Sequence, residues 1–343
     1  ITLSGADADN FQVVDNPALF TLNMFSQLLL KIRYTPTEPV RNTAVLQVET
    51  ESGTLSDTLI ANGTAIKDGV PTFERFMGLE NDINIHSVVQ ASDGGFLLVG
   101  SITLVEYVNL DAFLVKTDAY GKILWQINFE HGASGGSYDG GDDEAWDAVS
   151  LPDGSIIVLA TADAWSPGEL GDYSIMLSKW DAEGNFIWEQ GYGGQFNDKA
   201  AQMIIDDEGD LVIAGSTNNT ADQTENAYVL KVDPADGTLI WEMDYDEGGG
   251  IQSGYDIAES QGGGYLIVGN NQQIGQNANL YFIKIADDGS KQWSKTFTSD
   301  VLAEGNAIRN THDGGYIVSG YILTQNKGKE GYLVKVDAEA EML

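Results

Sequence analysis

The chain has 343 residues, more than one ordinary compact core accommodates, so two domains or an array of repeats is expected. Its 52 acidic and 17 basic residues give a formal charge of −35. That opposes nucleic acid and anionic membranes, because like charge repels the phosphate backbone. There is no cysteine, which excludes disulfides, thiolate catalysis and Cys-ligated zinc or iron–sulfur sites.

No stretch approaches 18 uninterrupted apolar residues, so no transmembrane helix is expected. The chain opens at Ile1, without a Met or a signal peptide and inside what reads as a strand, which suggests a piece of a longer precursor.

Residues 1–66 read as a separate unit. Short alternating runs begin at Phe11 (F-Q-V-V), Phe20 (F-T-L), Leu28 (L-L-L-K-I-R-Y), Ala44 (A-V-L-Q-V) and Thr58 (T-L-I-A), with turn residues between them. No helical period competes, so a small antiparallel sandwich is expected. Phe11, the Y-T-P-T segment from Tyr34 and the closing L-I-A-N-G-T from Leu59 resemble the immunoglobulin-like modules of choice-of-anchor D (ASPM–SPD-2–Hydin-like) type. That resemblance implies two further strands before Leu3. The module here is incomplete at its N-terminus, and its open edge would pair with neighbouring domains or subunits. Residues 67–71 form the linker.

From residue 72 to residue 343 one phrase recurs five times. A turn (Asp93-Gly94, Asp153-Gly154, Glu208-Gly209, Gly262-Gly263, Asp313-Gly314) leads into an apolar strand. A second strand ends in a lysine: Lys116, Lys179, Lys231, Lys284, Lys335. A tryptophan follows 9 or 10 residues later in four copies: Trp125, Trp188, Trp241, Trp293. The turns are 60, 55, 54 and 51 residues apart. Such a period, with four short strands per unit, predicts a β-propeller. The fifth copy stops before its tryptophan, and residues 72–78 match a fourth strand, so five blades closed by that N-terminal strand are expected. The aligned tryptophans are expected as fillers between twisted sheets.

The K-x-D-x-x-G-x-x-x-W phrase, best in the run from Lys231 to Trp241, resembles the tryptophan docking motif of quinoprotein-like (PQQ-like) propellers. The S-D-G-G-F/Y-L/I-x-V-G-S phrase is similar to repeats in large secreted and surface proteins of Bacteroidota, which often carry a type IX secretion tail. The resemblance implies an extracellular or outer-surface location in a bacterium.

Candidate chemistry is sparse. Ser134 lies in a G-x-S-x-G match, but with no helix behind it and no histidine partner it is not a nucleophile elbow. His86, His131 and His312 have no metal-ligand spacing. The acidic, glycine-rich run containing Asp139, Asp142, Asp143, Glu144 and Asp147 has the oxygen ligands a Ca²⁺ ion requires, without EF-hand spacing; Asp244, Asp246 and Glu247 form a weaker second run. No organic cofactor is expected. Trp165 is an unaligned aromatic in a variable loop between strands two and three, where a binding contact would sit.

These features lead to the expectation of a non-catalytic extracellular module, an adhesin or appendage component whose propeller loops contact glycan or protein. A structural subunit of a filament is one alternative. A carbohydrate-active or quinoprotein-type enzyme is the other, and a hydrolase would need two carboxylates converging in a cleft.

Overall fold

The computed structural model describes residues 82–103, 110–129, 142–162, 173–194, 197–218, 224–298, 302–324 and 327–342 in full, the backbone of residue 163, and short backbone strands within the first 71 residues. The chain divides into two compact units, residues 1–78 with 117–123, and residues 79–116 with 124–343.

In the first unit, Thr2–Ser4, Arg41–Thr50 and Gly53–Asn62 form one antiparallel sheet, with Thr2 opposite Gln47 and Thr50 opposite Gly53. Phe11–Val14 pairs with Lys31–Tyr34, and Ile66–Lys67 with Val70–Pro71. The described elements of this unit are all strands, and they do not define an immunoglobulin-like sandwich. The F-T-L run at Phe20 lies outside the described residues.

The second unit is a five-blade β-propeller. Four blades are four-stranded meanders: Asp82–Gln90 to Ile123–Phe129, Asp143–Ser150 to Phe186–Tyr192, Asp198–Ile205 to Leu239–Tyr245, and Ile251–Glu259 to Lys291–Phe297. The fifth shows three strands, Leu302–Asn310, Tyr316–Thr324 and Gly328–Val336, and Met342 bridges back to Val336 after the turn. The ring-closing segment expected at residues 72–78 lies outside the described residues.

Sequence sets this geometry locally. Each Asp/Glu-Gly turn closes the hairpin of strands one and two, and its glycine takes the left-handed conformation that a side chain resists, as at Gly154 with φ 88°. The second and third strands are apolar on both faces because they are sandwiched between blades: in Leu211–Thr217 every residue is buried. First strands of successive blades touch from blade 1 through blade 5.

The core is a series of inter-blade layers. Leu114 of blade 1 packs with Ala148 of blade 2, and Leu177 with Met203 of blade 3. Val229 packs with Ile257 of blade 4, and Phe282 with Ile308 of blade 5. The tryptophans lock the rims. Nε1 of Trp125, Trp188 and Trp241 donates to the backbone oxygen of Ala182, Ala235 and Asp287, each in the next blade and each at 3.1 Å.

Candidate functional site

Every first strand carries the same irregularity. Its register slips by one residue between Ile85 and Ser87, Ala145 and Asp147, Ala200 and Gln202, Gly254 and Asp256, and Gly305 and Ala307. A bulge of this kind bends the strand and re-aims one side chain. The extra residues are His86, Trp146, Ala201, Tyr255 and Asn306. The bend brings the second strand close: a Cβ on Gly100 would lie 1.8 Å from the Asn84 oxygen, which accounts for the glycine in the V-G-S phrase.

Four of the five bulge residues, Trp146, Ala201, Tyr255 and Asn306, line one cavity of about 710 Å³ where the first strands begin. Asp142 and Glu144 enter it from blade 2, and Lys199 and Glu225 from blade 3. Tyr173 adds an aromatic ring, and Asn270 and Gln272 add amides. The fifth bulge residue, His86, stacks on Trp146 with ring centroids 4.5 Å apart and an interplanar angle of 11°. Its Nδ1 is 2.9 Å from the Ala145 oxygen, which fixes the pair as one platform.

Glu225 is held firmly. Its carboxylate accepts from Ser253 Oγ at 2.7 Å and lies 4.0 Å from Lys199 Nζ. Its backbone bonds to Gly250 and Gln252. The Tyr255 hydroxyl accepts from Asn270 Nδ2 at 2.9 Å. Burial, reinforced by Glu304, pushes that phenol up to about 12, so it stays protonated.

The residue after each bulge turns toward the neighbouring blades. Asp147 Oδ1 accepts from Ser87 Oγ at 2.8 Å, and Oδ2 accepts from Gln202 Nε2 at 2.5 Å and the Met203 N–H at 3.2 Å. Asp256 Oδ2 likewise accepts from the Ile308 N–H at 2.8 Å and from Arg309. Each carboxylate therefore clamps neighbouring inner strands. Burial raises both carboxyls, Asp147 to about 6.

Of the acidic run read as a Ca²⁺ candidate, Asp139 lies outside the described residues. Asp142 is exposed, and its Oδ1 accepts from the Leu110 N–H at 2.9 Å. Asp143 is buried and does not line the cavity. Among the described residues, Asp206, Glu208 and Asp210 are the carboxylates close enough to share a cation. Lys231 Nζ stands among them at 2.8, 2.6 and 3.3 Å, so an ammonium fills that position. Glu247 is engaged by Tyr281, Ser294 and Lys291. Trp165, Ser134 and His131 lie outside the described residues.

No protein-family model and no curated protein sequence matches the chain. Solved structures with a similar fold include a candidate exo-beta-1,3-galactanase of Bifidobacterium bifidum, at 11% identity and a TM-score of 0.44, covering 74% of this chain and 87% of that one. An endo-1,4-beta-xylanase of Bacteroides thetaiotaomicron matches at 10% identity and TM-score 0.39, covering 74% of this chain and 92% of that one. An ACO/RPE65 chimera matches at 13% identity and TM-score 0.45, covering 76% of this chain and 59% of that one. The likeness is one of fold.

The expectation of a non-catalytic module is corrected here. Solved structures of similar fold include a thermostable family-43 glycoside hydrolase and an endo-arabinase of Bacteroides thetaiotaomicron, the finding that stands against that expectation. For this chain's own residues, the physical reason is the cavity. The repeat made the loops look variable and unconnected, whereas the bulges gather side chains from successive blades at one point.

Proposed function

We infer that the cavity binds a carbohydrate and that the chain hydrolyses a glycosidic bond there. The observation that carries this is the convergence of carboxylates from two blades (Glu144, Glu225) with three aromatic rings (Trp146, Tyr173, Tyr255) in one 710 Å³ hollow. A sugar offers apolar C–H faces to aromatic rings and hydroxyls to carboxylates and amides. The Trp146–His86 platform supplies the first kind of contact; Asn270, Gln272 and Asn306 supply the second.

Hydrolysis adds water across the C–O bond. One carboxyl gives a proton to the leaving oxygen, and a second stabilises or attacks the anomeric carbon or takes a proton from water. Glu225, pinned by Ser253, suits the second role because a fixed carboxylate loses little freedom on reaching the transition state. Glu144, at the start of the blade 2 inner strand, suits the first.

The test is release of reducing ends from a panel of plant and bacterial polysaccharides. Glu144→Gln and Glu225→Gln are each expected to lower kcat by about 10²-fold or more with binding retained. A wild-type chain that neither releases reducing ends nor binds any glycan in calorimetry overturns the reading.

A further inference from the structure

In blade 3 one carboxylate oxygen, Asp206 Oδ2, accepts from two buried donors: Lys231 Nζ at 2.8 Å and the Tyr265 hydroxyl of blade 4 at 2.7 Å. Blade 4 repeats both donors. Lys284 stands at the position of Lys231, and Tyr316 of blade 5 stands at that of Tyr265. Tyr316 packs on blade 4 as Tyr265 packs on blade 3. The acceptor alone changes. Ser260 takes the place of Asp206, in a turn closed by the same pair of backbone bonds: Ser260 N–H to the Gly264 oxygen and Gly263 N–H to the Ser260 oxygen, against Asp206 to Asp210 and Gly209 to Asp206. Gly262 and Gly264 replace Glu208 and Asp210, so none of the carboxylates around Lys231 has a counterpart beside Lys284.

Both donors lie inside the protein: Lys284 is 7% exposed and Tyr316 1%. The Tyr316 hydroxyl has no hydrogen-bond partner among the described residues. Lys284 Nζ donates to the Gly263 oxygen, one of the three bonds an ammonium can give. The Ser260 hydroxyl ends one bond short of where an aspartate's oxygens reach. A buried donor without an acceptor is costly, and a buried ammonium without a counter-charge is more so. Burial accordingly lowers the Lys284 pKa, with Asp287 as the opposing charge.

We propose that a small monovalent anion, of the size of chloride or formate, binds between Lys284 Nζ and the Tyr316 hydroxyl and joins blades 4 and 5 as the Asp206 carboxylate joins blades 3 and 4. The repeat identifies the ligand: the same ammonium and phenol meet one anionic oxygen in blade 3. A Cβ on Gly262 would meet nothing within 4 Å, so there is space where other blades place a turn acid. A hollow of about 490 Å³ opens over this turn, lined by Ser260, Gln261, Gly263 and Gly264. Glu259 and Asp287 also line it, and their charge disfavours multivalent anions. The site lies at the turn end of the inner strands, and the cavity lies where those strands begin.

The test is thermal unfolding of the 343-residue chain at constant sodium, with bulky gluconate replaced stepwise by chloride or by formate. Each tenfold increase above the anion's Kd is expected to raise the melting temperature by about 3 °C, as a ligand of the folded state does in a domain of this size. A response to either anion supports the proposal and shows which shape fits. Tyr316→Phe keeps the ring and removes the hydroxyl, and Gly262→Asp supplies a carboxylate from the chain itself; both are expected to lose at least half of the response. In crystals grown with bromide, an anomalous peak is expected between Lys284 Nζ and the Tyr316 hydroxyl. Three outcomes overturn the proposal: no response to chloride or formate, a response of equal size in wild type and Tyr316→Phe, or bromide crystals that hold only water at that position.

Discussion

Asp147 offers a quantitative test of how the inner strands are held. Its carboxyl ordinarily titrates near 3.8, and burial, with a further push from Asp256, raises it to about 6. The ionised form is therefore disfavoured in the folded state. The folded protein takes up a proton as pH falls through 6, whereas the unfolded chain does so only near 3.8. Stability from this group thus rises on acidification across that window and is lost as pH rises through 6. The full difference is (6 − 3.8) × 1.36, or about 3 kcal/mol. Between pH 8 and pH 5 roughly 1.4 kcal/mol of it is gained, since the folded carboxyl is mostly protonated at pH 5 while the unfolded one is still ionised. Asp147→Asn cannot ionise, and its side-chain oxygen still accepts from the Met203 N–H. Urea unfolding of both proteins at pH 5, 6, 7 and 8, followed by tryptophan fluorescence, isolates the effect. The stability of the variant minus that of wild type is expected to grow by about 1.4 kcal/mol from pH 5 to pH 8. A difference that stays flat, or shrinks with rising pH, refutes the argument that burial dominates at Asp147.

Other consequences follow from the same contacts. Lys231→Met leaves Asp206 buried without its ammonium, although burial alone works to raise that carboxyl and the Lys231 and Tyr265 hydrogen bonds now hold it low; a loss of about 3–5 kcal/mol in unfolding free energy is expected. Trp241→Phe removes the bond to the Asp287 oxygen but keeps an aromatic ring, and should cost about 1 kcal/mol by urea titration, against about 3 for Trp241→Ala. Gly262→Asp supplies blade 4 with the turn carboxylate that blade 1 places 2.6 Å from its lysine, and a gain of up to about 1 kcal/mol is expected, with the gain disappearing in Lys284→Met.

The scaffold was legible because propeller physics repeats. In blade 2 the strand that ends in the recurring lysine is Tyr173–Trp180, and the one that carries the tryptophan is Phe186–Tyr192. The recurring lysine was visible, but its partner was not, since contact between strand three and the preceding turn is a tertiary fact. Lys116 reaches Asp93, Lys231 reaches Asp206, Glu208 and Asp210, and Lys335 reaches Asp313. Blade 4 has Gly262 where a turn carboxylate would stand, so Lys284 donates to the Gly263 oxygen instead, and burial lowers its pKa. The same sequence position thus serves a charge pair in one blade and a lone buried amine in another.

The cavity was not legible for the opposite reason. A bulge adds one residue to a strand without changing its hydrophobic alternation enough to be seen, and the five extra residues differ in chemistry: His86, Trp146, Ala201, Tyr255 and Asn306. A repeat comparison discards such a column as noise. Yet a position that is geometrically fixed and chemically free in every blade is where a repeat protein can change what it recognises without disturbing its core. The glycine opposite the bulge carried the signal. Gly100, Gly215, Gly269 and Gly320 each leave less than 2.2 Å between an imagined Cβ and a carbonyl oxygen of the inner strand. In those four blades the inner strand leaves no room for a side chain opposite the bulge. In blade 2, Ala160 takes the glycine's place opposite Ala145, and the bulge residue is Trp146, the largest of the five.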